Sequence, residues 1–170
     1  MAILDTDILI RLSGGAANAD PNLSLGGAMS STNLVDNTLH NLFDKVTGPE
    51  STAGRTEYRC CYVLNNHGSL NLEGAVIWID SETTHTGANV QIALDGNGLN
   101  VNAEGPVASE ITAPSGETFV EAASVGAALS LGTIPFGQKY AFWLKRIIGA
   151  GTLAKNNYSV VIKVKGDTAE

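Results

Sequence analysis

The chain is poor in several things that narrow what it can be. Only 6% of its 170 residues are aromatic and 16% are charged, well below the roughly 25% charge of ordinary soluble domains. Much of the surface is therefore Asn, Ser, Thr, Gly and Ala, which suits a subunit whose faces meet other protein. Basic residues are scarce, ten against seventeen acidic, giving a net charge of -7 and a pI near 4.8. That balance argues against a phosphate-binding surface and against direct contact with nucleic acid. No run approaches the about 18 consecutive apolar residues that a membrane-spanning helix needs, so no membrane partner is expected. Asp5 and Asp7 stand directly before the early apolar run Ile8-Leu9-Ile10 and keep it short, and no signal peptide is expected there.

Cysteine is limited to the adjacent pair Cys60 and Cys61. Neighbouring side chains of a strand point to opposite faces, so these two should not bond to each other. They supply neither a disulfide framework nor a four-ligand zinc site. Two small buried hydrophobes are the expected role, with an intermolecular disulfide left open.

Catalytic signatures are missing as well. There is no phosphate-binding P-loop, no dinucleotide-binding glycine pattern between a strand and a helix, no nucleophile elbow and no paired-histidine zinc motif. His40, His67 and His85 fall in a candidate helix, a turn and a polar loop. His85 with Asp80 and Glu82 is a conceivable ligand set, but a solvated loop is the simpler reading. Asp95-Gly96-Asn97-Gly98 opens like a calcium loop, yet Leu99 stands where an oxygen ligand belongs and no glutamate closes it, so a hairpin turn is expected. Trp143 beside Lys145 and Arg146 reads as a packed indole with two charges facing water or a neighbouring subunit. No catalytic, cofactor-binding or metal-binding residue is assigned, and no enzyme is expected.

What is present is a 44% hydrophobic fraction, 19 glycines and a succession of short alternating segments. Residues 57–65 place Tyr58, Cys60, Tyr62 and Leu64 on one face and Glu57, Arg59, Cys61 and Val63 on the other. The turn chemistry of 65–68 leads into 69–80, so these two segments are expected to form a hairpin, with a bulge at Gly74 and a doubly covered stretch at 76–79. Further strands are expected at 3–12, 88–95, 99–101, 119–120, 128–134, 139–148 and 157–165. Residues 33–46 place Leu34, Leu39, Leu42, Phe43 and Val46 near helical spacing, predicting a short helix capped by Asp36 or Asn37 and ending before Gly48-Pro49. Residues 103–118, broken by Pro106 and Pro114, read as loop. Turns recurring every 8–12 residues or so argue for a mainly β chain, an antiparallel β-sandwich of jelly-roll or immunoglobulin-like type with about seven or eight strands. It divides into an N-terminal strand, extended arm and short helix (1–56) and a sandwich body (57–170), one structural domain in all.

The stretch 13–32, SGGAANADPNLSLGGAMSST, has neither strand nor helix period. Together with 47–56 it is a long small-residue connection, and such a segment is ordered only when something holds it. A neighbouring copy or partner is the expected holder, with Arg11, Leu12, Asn22, Leu23, Leu25 and Met29 as partner-binding candidates.

Three segments carry a resemblance to known proteins: ILIRLSGGAANADPNLSLGGAMSS (8–31), EYRCCYVLNNHGSLNLEGAVIWI (57–79) and AFWLKRIIGAGTLAKNNYSVVIKVKGDTAE (141–170). In these the chain resembles virion structural proteins of tailed bacteriophages, among which small β-sandwich proteins serve as capsid decoration (cement) proteins and others as tail or baseplate parts. The resemblance implies a homo-oligomer on the capsid surface that binds the major capsid protein and sister copies, made in the bacterial host cytoplasm, with no cofactor. A tail or baseplate subunit is the alternative it leaves, and a carbohydrate- or receptor-binding module a more distant one.

Overall fold

The computed structural model describes residues 2–168 and consists of two antiparallel sheets packed face to face. The larger sheet is built from β1 (Ile8–Ser13), β2 (Met29–Asn33), β3 (Arg55–Asn65), β5 (Ala88–Leu94) and β7 (Lys139–Ile148), in the spatial order β2-β1-β3-β7-β5. The smaller consists of β4 (Leu72–Glu82), β6 (Leu129–Ile134) and β8 (Val160–Thr168), in the order β6-β4-β8. The mainly β sandwich expected from the alternation is what forms. Leu12, Cys61, Val63, Ile77, Ile79, Ile92, Phe142 and Leu144 meet between the sheets.

The central strands of the larger sheet are buried on both faces. Tyr58, Cys60, Tyr62, Ala141 and Trp143 point away from the smaller sheet and pack with Ala103, Met29, Val107 and Phe119. Two connections form this outer layer, the arm 13–32 and the loop 95–119. The Tyr62 hydroxyl joins both to β3: it accepts a hydrogen bond from Ala103 N at 2.7 Å and donates to the Gly27 carbonyl. Beyond the end of β1, the β3 edge is completed by irregular chain, Cys60 N donating to Ser24 O at 2.8 Å and Tyr58 N to Glu110 O at 2.7 Å.

The arm is tied to its own body by hydrogen bonds within the chain. Ser13 N donates to Ser24 Oγ at 3.1 Å, Gly26 N to Ser13 Oγ at 3.0 Å, and the Asn18 side chain to Ser13 O at 2.6 Å. Its small residues allow close packing. Gly26, at φ +102°, lies so near the sheet that a Cβ would stand 3.0 Å from the Trp143 ring and overlap the Glu104 carbonyl.

Several local expectations change. Residues 57–65 and 69–80 do not form a hairpin: β3 pairs with β1 and β7, while β4 pairs with β6 and β8 in the other sheet. The turn between them carries the chain from sheet to sheet. Buried Asn65 braces it, its amide donating to Leu70 O and Ile134 O, both at 2.9 Å, and its Oδ1 accepting from His67 N. Segments apolar on both faces fit several neighbours equally well, so their periodicity does not choose a partner.

The helix also moves. Residues 34–46 are irregular, with Asn37 and His40 at positive φ, 54° and 58°, which no right-handed helix accommodates. Leu34, Leu42 and Phe43 turn into the core while Val35 and Leu39 stay exposed. The helix, α1 (Gly48–Ala53), starts at the Gly-Pro pair read as its terminator. Proline tolerates the first turn, and Thr47 with Glu50 forms a capping box, Thr47 N donating to Glu50 Oε2 at 2.8 Å. Residues 99–101 form a turn, and of 119–120 only Val120 pairs, through an isolated bridge to Ile92. The Gly74 bulge is present as a register shift between Glu73 and Val76.

Candidate interaction site

One end of the sandwich gathers the chain's long connections. Arg55 and Ala88 both lie opposite Ile148, and Glu82 lies opposite Val160, so 83–87 and 149–159 leave from this end of the two sheets, and 34–54, which departs β2 beside Ile10, returns to β3 there. Strand alternation there turns Arg55, Glu57 and Arg59 of β3 and Arg146 of β7 to the side that carries Cys61 and Phe142. Glu57 and Arg146 are directly paired across the ladder. Arg59 is 0% exposed, Glu57 1% and Arg146 7%.

These charges satisfy one another. Arg146 Nε donates to Glu57 Oε2 at 2.7 Å, and its other nitrogens reach the Asp44 carbonyl at 2.8 Å and, at 3.4 Å, the Asp44 carboxylate. Arg55 Nε donates to Glu57 Oε1 at 2.7 Å, and Arg55 also pairs with Glu50 and Glu110. Arg59 donates to Glu110 at 2.6 Å, to Leu42 O at 3.0 Å and to Asn22 Oδ1 at 3.1 Å. Phe43 lies against both guanidinium groups, 5.4 Å from that of Arg59 and 4.8 Å from that of Arg146. Among the described residues no buried side-chain nitrogen or oxygen lacks a partner.

Burial pushes the Glu110 carboxyl up, but its hydrogen bonds with Arg59 and Arg55 outweigh that and hold it below the ordinary range. The hydrogen bond to Glu57 raises Arg55 further above its normal value. Asp44, Glu57 and Glu110 lie close enough to suggest a cation site, with ligand oxygens within 4.8 Å of one another. Three arginines already occupy those oxygens, so the cluster is an ion-pair network and not a metal centre.

The network's effect is mechanical. Through Asn22, Leu42, Asp44 and Glu110 it ties three otherwise irregular segments to the sheet, and each carries an exposed aliphatic side chain nearby: Leu23, Leu39 and Ile111. A fourth loop is fastened next to them. Gly151 N donates to Ser51 O at 2.8 Å, Gly149 N to Gly87 O at 2.7 Å, and His85 Nε2 bonds Leu153 O at 2.7 Å, leaving the Leu153 side chain 80% exposed. A shallow concavity of about 370 Å³ lies between 85–87 and 149–153, lined mainly by glycine and threonine.

The six arm candidates separate. Leu12 is core, at 1% exposed, and Met29 packs against the Tyr62–Trp143 layer. Leu25 is half-buried, its carbonyl accepting from Val107 N at 2.9 Å. Arg11 donates to Asn33 Oδ1 at 3.2 Å on the neighbouring strand. Asn22 belongs to the arginine network, and Leu23 alone presents a large apolar side chain outward. Arg146 differs from expectation, being buried against Glu57 instead of facing outward. Trp143 is packed as expected, its Nε1 donating to Asp95 at 2.9 Å.

The remaining polar candidates have structural partners. The Asp95 carboxylate accepts from Glu104 N and Asn97 N besides Trp143, holding a turn at 95–98, but not the expected hairpin, since β5 pairs with β7 and 99–101 is not a strand. His67 Nδ1 accepts from Ser69 N and Leu70 N. Asp80 pairs with Lys163 at 2.8 Å, while Glu82 bonds Tyr158 and Val90 N, so the two do not converge with His85.

The chain matches no family model, no curated protein and no solved structure. The sequence reading did not single out Arg55, Glu57, Arg59 and Glu110. A signal was there: Glu57 and Arg59 share a strand face with Cys61 and Val63, and charge on an otherwise apolar face calls for a buried counter-charge.

Proposed function

We propose that the chain is a structural protein of a tailed-bacteriophage virion, a capsid decoration (cement) protein that bridges major capsid subunits on the head surface. The observation that carries this reading is a group of four exposed aliphatic side chains, Leu23, Leu39, Ile111 and Leu153, on irregular segments that hydrogen bonds and ion pairs tie to the body. An apolar side chain on a pre-ordered loop contributes to protein contact without a large ordering cost, and several weak contacts gain from multivalent seating over a lattice. The weakly charged surface fits the same use, since contact cores are depleted in charge. The sequence resemblance supplies the virion setting.

The arm's part in this reading differs from that of a free clasp. Docked on its own sheet, it contributes Leu23 to the loop end while its other candidate residues brace the body.

The test is the copy number of this chain relative to the major capsid protein in purified particles, by quantitative mass spectrometry. A ratio of one, or a fixed simple fraction of it, is expected. A few copies per particle would replace the decoration role by a tail or baseplate role, and absence from particles would overturn the virion reading.

A further inference from the structure

The smaller sheet ends in β8, whose outer backbone edge is unpaired among the described residues, while at its C-terminal end Ile3 N donates to Thr168 Oγ1 at 3.2 Å and Ile3, Leu4 and Asp5 line a concavity with Val164, Lys165 and Gly166. β8 pairs with β4 along its length, and among the described residues no other backbone group bonds to the backbone of 160–168. Its alternate backbone donors and acceptors therefore face outward from the sheet edge. The inward residues at this edge are incompletely covered: Val160, Ile162 and Val164 are half-buried, whereas Ile77 and Ile79 on neighbouring β4 are 0% and 3% exposed. A further strand would continue the apolar inner face over these residues.

The outward residues set the chemistry of what fits. Val161, Lys163, Lys165 and Asp167 alternate on the outer face, with Val161 44% exposed. Lys163 has a carboxylate partner in Asp80, at 2.8 Å, while Lys165 makes no ion pair among the described residues. Both lysines stand out on a chain of net charge -7. Antiparallel pairing of two β8 strands centred on Lys163, Val164 or Lys165 would bring lysines opposite one another, and like charges directly opposed are destabilising. An acidic strand meets the same lysines favourably, so this edge discriminates by charge between self-pairing and a foreign strand.

We propose that β8 is a strand-addition site for an extended acidic segment of a partner protein, with apolar residues of the segment opposite Ile162 and Val164 and carboxylates opposite Lys163 and Lys165. Main-chain ladder bonds supply affinity and the alternating side chains supply selectivity. The site uses a different face from the loop end and does not rest on the virion reading.

The test uses the full chain and a capped, fluorescently labelled nine-residue peptide alternating Val and Glu. Its controls are the same peptide with Lys for Glu and a proline-interrupted Val/Glu peptide that cannot complete a ladder. Anisotropy measures binding, and amide hydrogen exchange locates it. The expected result is binding of the Val/Glu peptide alone, weakened by added salt, with at least about tenfold slower exchange confined to residues 160–168. Lys165→Glu, which leaves the Lys163–Asp80 pair in place, should weaken binding about fivefold or more. Lys163→Glu/Lys165→Glu should transfer preference to the Lys peptide, with folding verified by circular dichroism. Equal binding of the proline peptide, protection outside β8, no binding, or insensitivity to both variants would each overturn the proposal. Concentration-dependent dimerisation that protects β8 without peptide would replace the acidic partner by a second copy.

Discussion

Arg146 and Glu57 are 89 residues apart in sequence and face each other directly across the β3–β7 ladder, guanidinium to carboxylate at 2.7 Å, inside an otherwise apolar sandwich. Each charge is the other's most buried partner, and a buried charge left short of its counter-charge is costly. Glu57→Gln should therefore destabilise the fold by ~3–5 kcal/mol, because Arg146 and Arg55 lose the buried carboxylate they share and keep only more exposed ones, Asp44 for Arg146 and Glu50 and Glu110 for Arg55. The double variant Glu57→Leu/Arg146→Met should recover much of that loss. Urea unfolding of the single and double variants measures both; an equal loss in the double variant would contradict this account of the pair.

Acid should weaken the same end of the molecule. The Glu110 carboxyl titrates below its ordinary value of 4.5 in the folded chain, so its contribution is fully present above that value and lost as pH falls through the depressed one. The stability difference between the native chain and Glu110→Gln should thus be largest at neutral pH and shrink below pH 4.5. Urea midpoints at stepped pH test this; a difference constant with pH would exclude the ionised pairing.

Glu117 should behave with the opposite sign. Burial raises its carboxyl above 4.5, with Asp95 and Glu104 adding repulsion, although Gly96 N donates to it. Stability tied to its protonated form is present in acid and lost as pH rises through the raised value. Glu117→Gln keeps an oxygen acceptor and removes the charge, so it should match or exceed the native chain in stability at neutral pH. A melting temperature several degrees lower at neutral pH would contradict this.

Both thiols should be inert in the folded protein. Cys60 and Cys61 are fully buried on opposite faces of β3, and burial raises both, Cys61 to about 12. Aromatic-disulfide titration should detect no thiol in native buffer and two in denaturant, and non-reducing gels should show no covalent dimer. Rapid native labelling would disprove the packing of β3 described above.

Gly26 should be intolerant of a side chain. Gly26→Ala places a Cβ at φ +102° against the Glu104 carbonyl and Trp143. A cost of at least about 1–3 kcal/mol is expected from the backbone strain, with faster exchange at the neighbouring amides of the arm. Leu39→Ser and Leu153→Ser, both at exposed sites, should change stability by no more than about 0.5 kcal/mol while reducing attachment to purified heads. Unchanged attachment of both would remove the loop end from the proposed contact.

The sequence by itself determined where most strands of this protein lie. Period-2 alternation, with Gly, Asn and Pro between the runs, is local information, and it placed β3, β4, β5, β7 and β8 to within a few residues. It also sent Cys60 and Cys61 to opposite faces. Only the tertiary structure decided which strands are neighbours. A strand apolar on both sides, such as 57–65, fits many partners, so a hairpin with 69–80 read as well as the observed pairing with β1 and β7. The helix failed for a related reason: Leu34, Leu42 and Phe43 are drawn between the sheets by long-range packing, against their local spacing. The arginine network was least legible, because a buried charge is stable only through counter-charges that the fold brings from distant segments. Arg59 meets Glu110 from 51 residues away and Arg146 meets Glu57 from 89, and no local pattern encodes either distance.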